Sequence, residues 1–114
     1  MEKITTTEQF DRILADNARV IVKFYTTWCP DCRRIDQPWD EYAEANQQRA
    51  SFVELNAEEV LEVAERFDVR GIPSFLMFES GRLADRLYSR DAKTPKQVTD
   101  FAEKVLAAPL ESKM

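Results

Sequence analysis

The chain has 114 residues, 44% of them hydrophobic and 32% charged, with a net charge of −5 and no histidine. That length suits one domain around a single core, and the acidic balance argues against nucleic acid as a partner. The missing histidine removes any Cys–His dyad and the commonest metal ligand, and no apolar run approaches the ~20 residues of a membrane helix.

The stretch Met1–Glu8 has no hydrophobic segment of a secretory signal, so the cytoplasm is the expected compartment. Thr5 with Glu8 three positions on reads as a capping box. Phe10, Ile13 and Leu14 at helical spacing then predict a first helix over Thr7–Asp16. Arg19–Thr26 follows as a near-continuous apolar strand, suited to the centre of a sheet, with Lys23 as the exception in its middle. Pro30 to Gln48 reads as a helix with Ile35, Trp39 and Tyr42 on one face, and Pro38 is expected to kink it. Ser51–Leu55 is a strand. Asn56 is placed to cap a third helix whose buried stripe is Val60, Val63, Ala64 and Phe67.

Arg70–Pro73 breaks the pattern before a strand at Ser74–Phe78. Gly81 supplies the positive φ of a turn into a strand at Leu83–Tyr88, which predicts an antiparallel hairpin. Thr94 and Pro95 start the last helix as N-cap and first helical residue. Its buried face is Val98, Phe101, Ala102, Val105 and Leu106; Pro109 ends it, and 108–114 reads as a frayed tail. The order is helix, strand, helix, strand, helix, strand, strand, helix. It predicts a single α/β domain over 1–114, with a βαβ unit and a hairpin in one mixed sheet and helices on both faces.

The segment Trp28–Cys32 holds the only two cysteines, two residues apart at a strand-to-helix junction. In a chain with no secretory signal this is a redox motif before it is a structural staple. Two other readings stay open at this level. Two thiolates cannot complete a tetrahedral zinc site alone, but a dimer sharing four cysteines could hold a metal. The pair could also be inert thiols in a binding module.

Over nearly its whole length the chain resembles the thioredoxin family. The match is carried by Val22–Cys32, by Val69–Ser74, by Phe78–Gly81, and by the 44 positions between Cys29 and Pro73. The resemblance implies a thioredoxin fold and a thiol–disulfide oxidoreductase acting on protein or small-molecule disulfides. It also implies an upstream reductase of the thioredoxin-reductase kind. The expected redox centre is the Cys29–Cys32 dithiol itself, in a monomer with no metal and no other cofactor. Exchange needs a thiolate and a second thiol to resolve the mixed disulfide. Cys29 stands where the helix begins, where unpaired N–H groups and the dipole favour an anion. Cys32, one turn deeper and less exposed, is the expected resolving thiol.

Several positions depart from the family pattern. Pro30 and Asp31 replace the usual Gly-Pro pair. Asp31 would put a carboxylate near the thiolate and make the couple fairly reducing, unless it is simply a solvated helix-start residue. The strand before the motif carries a buried aspartate in thioredoxins, with a lysine on the next strand; the matching residues here are Lys23 and Glu54. They are expected to form a partly buried ion pair below Cys32, with Glu54 taking the Cys32 proton. The plain alternative is a snorkelling Lys23 and a strand-end Glu54. Ile72-Pro73 resembles the family's cis-proline loop, which would set the Ile72 backbone beside Cys29 for an extended substrate; otherwise Pro73 is a trans strand-entry proline. Trp28 is expected to shield the thiolate and offer an apolar contact surface, and Trp39 to be core. Arg33 and Arg34 read as a solvated face or as steering for acidic partners. The glycine that thioredoxins have near Ser89–Asp91 is absent, and the family's helix proline is displaced by one position to Pro38.

Overall fold

Alternation along one strand organises the chain. In the computed structural model, which describes residues 1–108, β2 (Arg19–Tyr25) sends Val20, Val22 and Phe24 to one face of a sheet and Ile21 to the other. All four are fully buried, as a strand with a helical layer on each side requires. Around it lie β1 (Glu2–Ile4), β3 (Ser51–Asn56), β4 (Ser74–Glu79) and β5 (Arg82–Leu87), in the order β1-β3-β2-β4-β5. β1, β3 and β2 run parallel; β4 is antiparallel to β2, and β5 to β4.

Four helices cover the sheet: α1 (Thr7–Asp16), α2 (Pro30–Ala45), α3 (Leu61–Arg66) and α4 (Pro95–Ala107). On one face Phe10, Ile13, Leu14 and Val63 pack on Val22, Phe24, Leu76 and Phe78. On the other, Trp39 of α2 meets Phe52 and Phe75 edge-on, and Val98, Phe101 and Leu106 of α4 complete the layer. Trp39 is therefore core, and the mixed sheet with helices on both faces is the expected architecture.

The differences are local. β1 is an additional strand ahead of the predicted order. It is three residues long and buries only Ile4, too short for an alternation to be read. The N-cap of α1 is Thr6 rather than Thr5: its hydroxyl accepts from the Gln9 N–H at 3.0 Å, while Gln9 Oε1 accepts from the Thr5 N–H at 2.8 Å. Gln9 thus takes the reciprocal role expected of Glu8. α2 stops at Ala45, short of Gln48, because Asn46 closes it with a bond from its Nδ2 to the Tyr42 carbonyl at 2.8 Å. Asn56 ends β3 and caps a turn instead of a helix. Its Oδ1 accepts from the N–H groups of Glu58 at 2.9 Å and Glu59 at 3.3 Å. α3 begins only at Leu61, which leaves Val60 and Phe67 flanking it.

The β4–β5 connection has two central residues in the left-handed region, Ser80 at φ 51° and Gly81 at φ 83°. This is the primed turn whose twist suits a tight hairpin. A short 3-10 turn, Ser89–Asp91, follows β5. Thr94 caps α4 with Gln97 completing the box and Pro95 in the first turn. Pro109 and the rest of the expected tail lie outside the described residues; Ala108 is the C-cap of α4.

Candidate active site

β2 and β4 are antiparallel neighbours, and Phe24 pairs with Ser74. The end of β2 therefore lies beside the start of β4. This brings the cysteine motif and the Pro73 loop to the same end of the sheet.

Cys29 is the N-cap of α2, and Pro30 follows in the first turn, where its missing N–H costs nothing. The Cys29 Sγ curls back over the helix start and accepts the Cys32 N–H at 3.0 Å. Both cysteines are free. They are also almost equally covered, at 3% and 2% exposure, a smaller difference than the expected deeper Cys32 implies. The folded-back Cys29 side chain, lying on the helix turn instead of projecting outward, accounts for this. Burial, then the hydrogen bond to Cys29, then the charges of Cys29 and Asp36 push the Cys32 thiol up to about 12, against a lowering contribution from the Thr26 backbone. Cys32 thus keeps its proton at neutral pH.

The Ile72-Pro73 peptide is cis. Pro73 is buried and Ile72 half-buried. The loop is tied by the Ser74 hydroxyl donating to the Gly71 carbonyl at 2.7 Å. A Cβ on Gly71 would fall 2.1 Å from Ser89 Oγ, so the 3-10 turn is seated directly on this loop. Trp28 is 61% exposed, and its indole N–H donates to Glu58 Oε2 at 3.1 Å. Glu58 was not singled out by sequence; a charged residue after a strand carries no distinguishing signal.

Lys23 does not snorkel: it is 3% exposed. Strand register sets it opposite Glu54, which in turn stands opposite Lys3. Its Nζ lies 3.4 Å from Glu54 Oε1, so the expected pair is present. The shorter bond, 2.8 Å, goes to Asp36 Oδ1 on α2. Glu54 also faces Lys3 at 3.5 Å, and the Tyr25 ring lies 5.6 Å from the Lys23 Nζ. Burial pulls the Lys23 ammonium down, but the hydrogen bond and charge of Asp36, with the charges of Glu54 and Asp40, outweigh it and the net shift is upward. Sequence reasoning missed Asp36. The available signal was its spacing, four residues after Cys32 and so on the same side of the helix.

Asp31 is not a lone carboxylate beside the thiols. Arg34 reaches it at 2.8 Å and Lys93 at 3.4 Å, and their hydrogen bonds hold its carboxyl below the usual range. Arg34 also donates to the Lys93 carbonyl at 3.4 Å, which ties the start of α2 to the segment before α4. Arg33 is exposed.

The comparisons with known proteins agree with this geometry. Residues 2–104 match the thioredoxin family model. Thioredoxin 1 of Plasmodium falciparum is 32% identical over 101 residues, covering 88% of this chain and 96% of that protein. Thioredoxin-1 of Saccharomyces cerevisiae is 30% identical over 92 residues, covering 81% and 88% respectively. A solved structure of the Plasmodium falciparum thioredoxin matches with a TM-score of 0.84 at 27% identity, over 91% of this chain and 98% of that one. The sheet and helices described above are the thioredoxin fold, with Cys29 and Cys32 placed for dithiol exchange at the start of α2. The chain belongs to the thioredoxin family, whose members are thiol–disulfide oxidoreductases.

Proposed function

We propose that this protein reduces disulfides of other proteins by dithiol exchange, with Cys29 attacking and Cys32 resolving. The observation that carries the assignment is the asymmetry of the pair. Cys29 Sγ sits at a helix start and receives an N–H at 3.0 Å, whereas Cys32 is a buried thiol that holds its proton.

The Cys29 thiolate attacks one sulfur of the target disulfide. That S–S bond breaks, and the departing thiolate takes a proton from solvent. The resulting mixed disulfide is then attacked at the Cys29 sulfur by Cys32, which gives up its proton. A Cys29–Cys32 disulfide forms, and the second target thiol leaves. The target has gained two electrons and two protons, which an upstream reductase of the thioredoxin-reductase kind restores to the dithiol. The dithiol is itself the redox group, and the cycle calls for no further cofactor and no metal. Small-molecule disulfides undergo the same chemistry.

Trp28, Ile72 and Pro73 form the substrate-contact surface: an exposed indole and a loop that presents backbone to an extended strand. Lys23, Glu54 and Asp31 set the charge around the pair. Residues 1–114 act as one domain and as a monomer. A cysteine pair used for exchange suits a reducing compartment such as the cytoplasm; no helix among the described residues is long and apolar enough to cross a membrane. The test is dithiothreitol-dependent reduction of insulin. Turnover by the wild type that is abolished in Cys29→Ser supports the reading, and absence of turnover by the wild type overturns it.

A further inference from the structure

We propose that Asp36 is a positioning residue for the resolving step: fixed by the buried Lys23 ammonium and one helical turn from Cys32, its carboxylate sets how readily the resolving thiol reacts. The inference rests on the dithiol-exchange reading and gives Asp36 an electrostatic role distinct from the proton acceptance expected of Glu54.

The geometry separates the two carboxylates. Asp36 is on α2 with Cys32, at a spacing of four, which puts their Cβ atoms about 5–6 Å apart. Glu54 is on β3 and divides its charge between Lys23 at 3.4 Å and Lys3 at 3.5 Å. Asp36 holds Lys23 more closely, at 2.8 Å. Lys23 is almost wholly buried, so this bond fixes the carboxylate from the sheet side even though half of the Asp36 side chain meets solvent.

The charged groups around Cys32 and Lys23 come from four elements. α2 contributes Cys29, Asp36 and Asp40; β2 contributes Lys23 and the Tyr25 ring; β3 contributes Glu54; and β1 contributes Lys3. The loop Gly71–Pro73 brings no titratable side chain. Among these groups two ammoniums face three carboxylates. Of the three, Asp36 lies one turn from Cys32 on the same helix, and its charge opposes formation of the thiolate.

In the mixed disulfide, Cys32 must lose its proton to solvent before its sulfur attacks Cys29 Sγ, forming the internal disulfide and expelling the target thiolate. Neutralising Asp36 removes a negative charge one helical turn from that sulfur, and with it the opposition to the thiolate. A like charge at this separation is worth about one unit, or roughly tenfold in thiolate. A more acidic thiol is also a weaker nucleophile, by roughly threefold for that change. The net expectation is a resolving step about threefold faster at neutral pH.

Ellman's reagent reads both steps. Attack by Cys29 releases a first thionitrobenzoate, and resolution by Cys32 releases a second. The inference expects Asp36→Asn to move the pH profile of the second release to lower pH, Asp36→Glu to restore it, and Glu54→Gln to move it less. A second-release profile of Asp36→Asn that coincides with the wild type overturns it, as does a larger shift from Glu54→Gln. Carboxyl-carbon NMR on the intact protein covers the case of variants that do not fold: the Asp36 signal is expected to show an inflection coincident with titration of Cys32, and a signal indifferent to Cys32 overturns the inference. A wild type that releases no second thionitrobenzoate sinks the dithiol-exchange reading along with it.

Discussion

Gly71 approaches Ser89 so closely that a Cβ on Gly71 would lie 2.1 Å from the Ser89 Oγ and 3.1 Å from its Cβ. The contact joins the loop carrying Pro73 to the 3-10 turn behind β5. Gly71→Ala is expected to force the two segments apart and cost about 1–3 kcal/mol, as overpacking does elsewhere. Because the clash has one identified partner, Ser89→Gly in the same chain should recover most of that loss. Urea unfolding of the two single variants and the double variant measures the coupling; additive losses would show that the clash lies elsewhere.

Lys23→Met removes the cation between Asp36 and Glu54. Losing one partner of a fully buried pair costs about 3–5 kcal/mol. Here Asp36 is 47% exposed and Glu54 keeps Lys3, so a smaller loss of about 1–3 kcal/mol is expected. The pH signature has a definite sign. The folded-state affinity of Lys23 for its proton is raised, so its stabilisation is complete below the unfolded value near ~10.4 and is lost as pH climbs through the higher folded value. Wild-type stability should therefore fall at alkaline pH in a way that Lys23→Met does not share, measured as urea midpoints on both sides of that value.

Cys32 is buried and pushed up to about 12, and thiolate is the form that alkylates. In the reduced folded protein at pH 8, iodoacetamide should leave Cys32 unmodified until the chain is unfolded, as peptide mass spectrometry would show. Rapid labelling of Cys32 in the folded state would contradict its assignment as the protected, resolving thiol.

Asp31, within the cysteine motif, holds Arg34 and Lys93. Asp31→Asn frees both cations and removes an anion, which favours thiolate and so stabilises the reduced form. The couple should become more oxidising by about 15–30 mV, where 30 mV corresponds to tenfold in the exchange constant. Equilibration with glutathione buffers measures both proteins. The wild type should be clearly reducing, and a wild-type potential as oxidising as about −120 mV would contradict the role given to its charges.

Trp28 is exposed and its one hydrogen bond goes to Glu58 at the surface. Trp28→Ala should change stability by no more than about 0.5 kcal/mol. It should slow the reduction of insulin while sparing that of a small disulfide such as oxidised glutathione. Equal losses on both substrates would place the indole in the chemistry rather than in the contact surface.

The elements legible in the sequence were those in which a run of residues carried a period. β2, α2 and α4 each bury a stripe that repeats along the chain, and the Thr94-Pro95 start is chemistry confined to adjacent residues. β1 was invisible because a three-residue strand buries one side chain and shows no period. Asn56 misled because its cap for a helix and its cap for a turn use the same side-chain oxygen. At the site, the cysteines were readable from their spacing, and the cis bond before Pro73 only through the family resemblance. Lys23 could be flagged as anomalous, and the family resemblance pointed to Glu54 as its partner. Asp36 reaches Lys23 by packing of a helix on a sheet; its spacing of four from Cys32 places it on the same side of the helix but does not name Lys23 as its partner.

Both margins of the sheet carry charge: Glu2 and Lys3 on a very short β1, and Arg82, Asp85 and Arg86 along β5. Strands finished in this way make poor templates for adding a further strand from another chain. Non-specific sheet growth is discouraged at the two places where a five-stranded sheet is otherwise vulnerable.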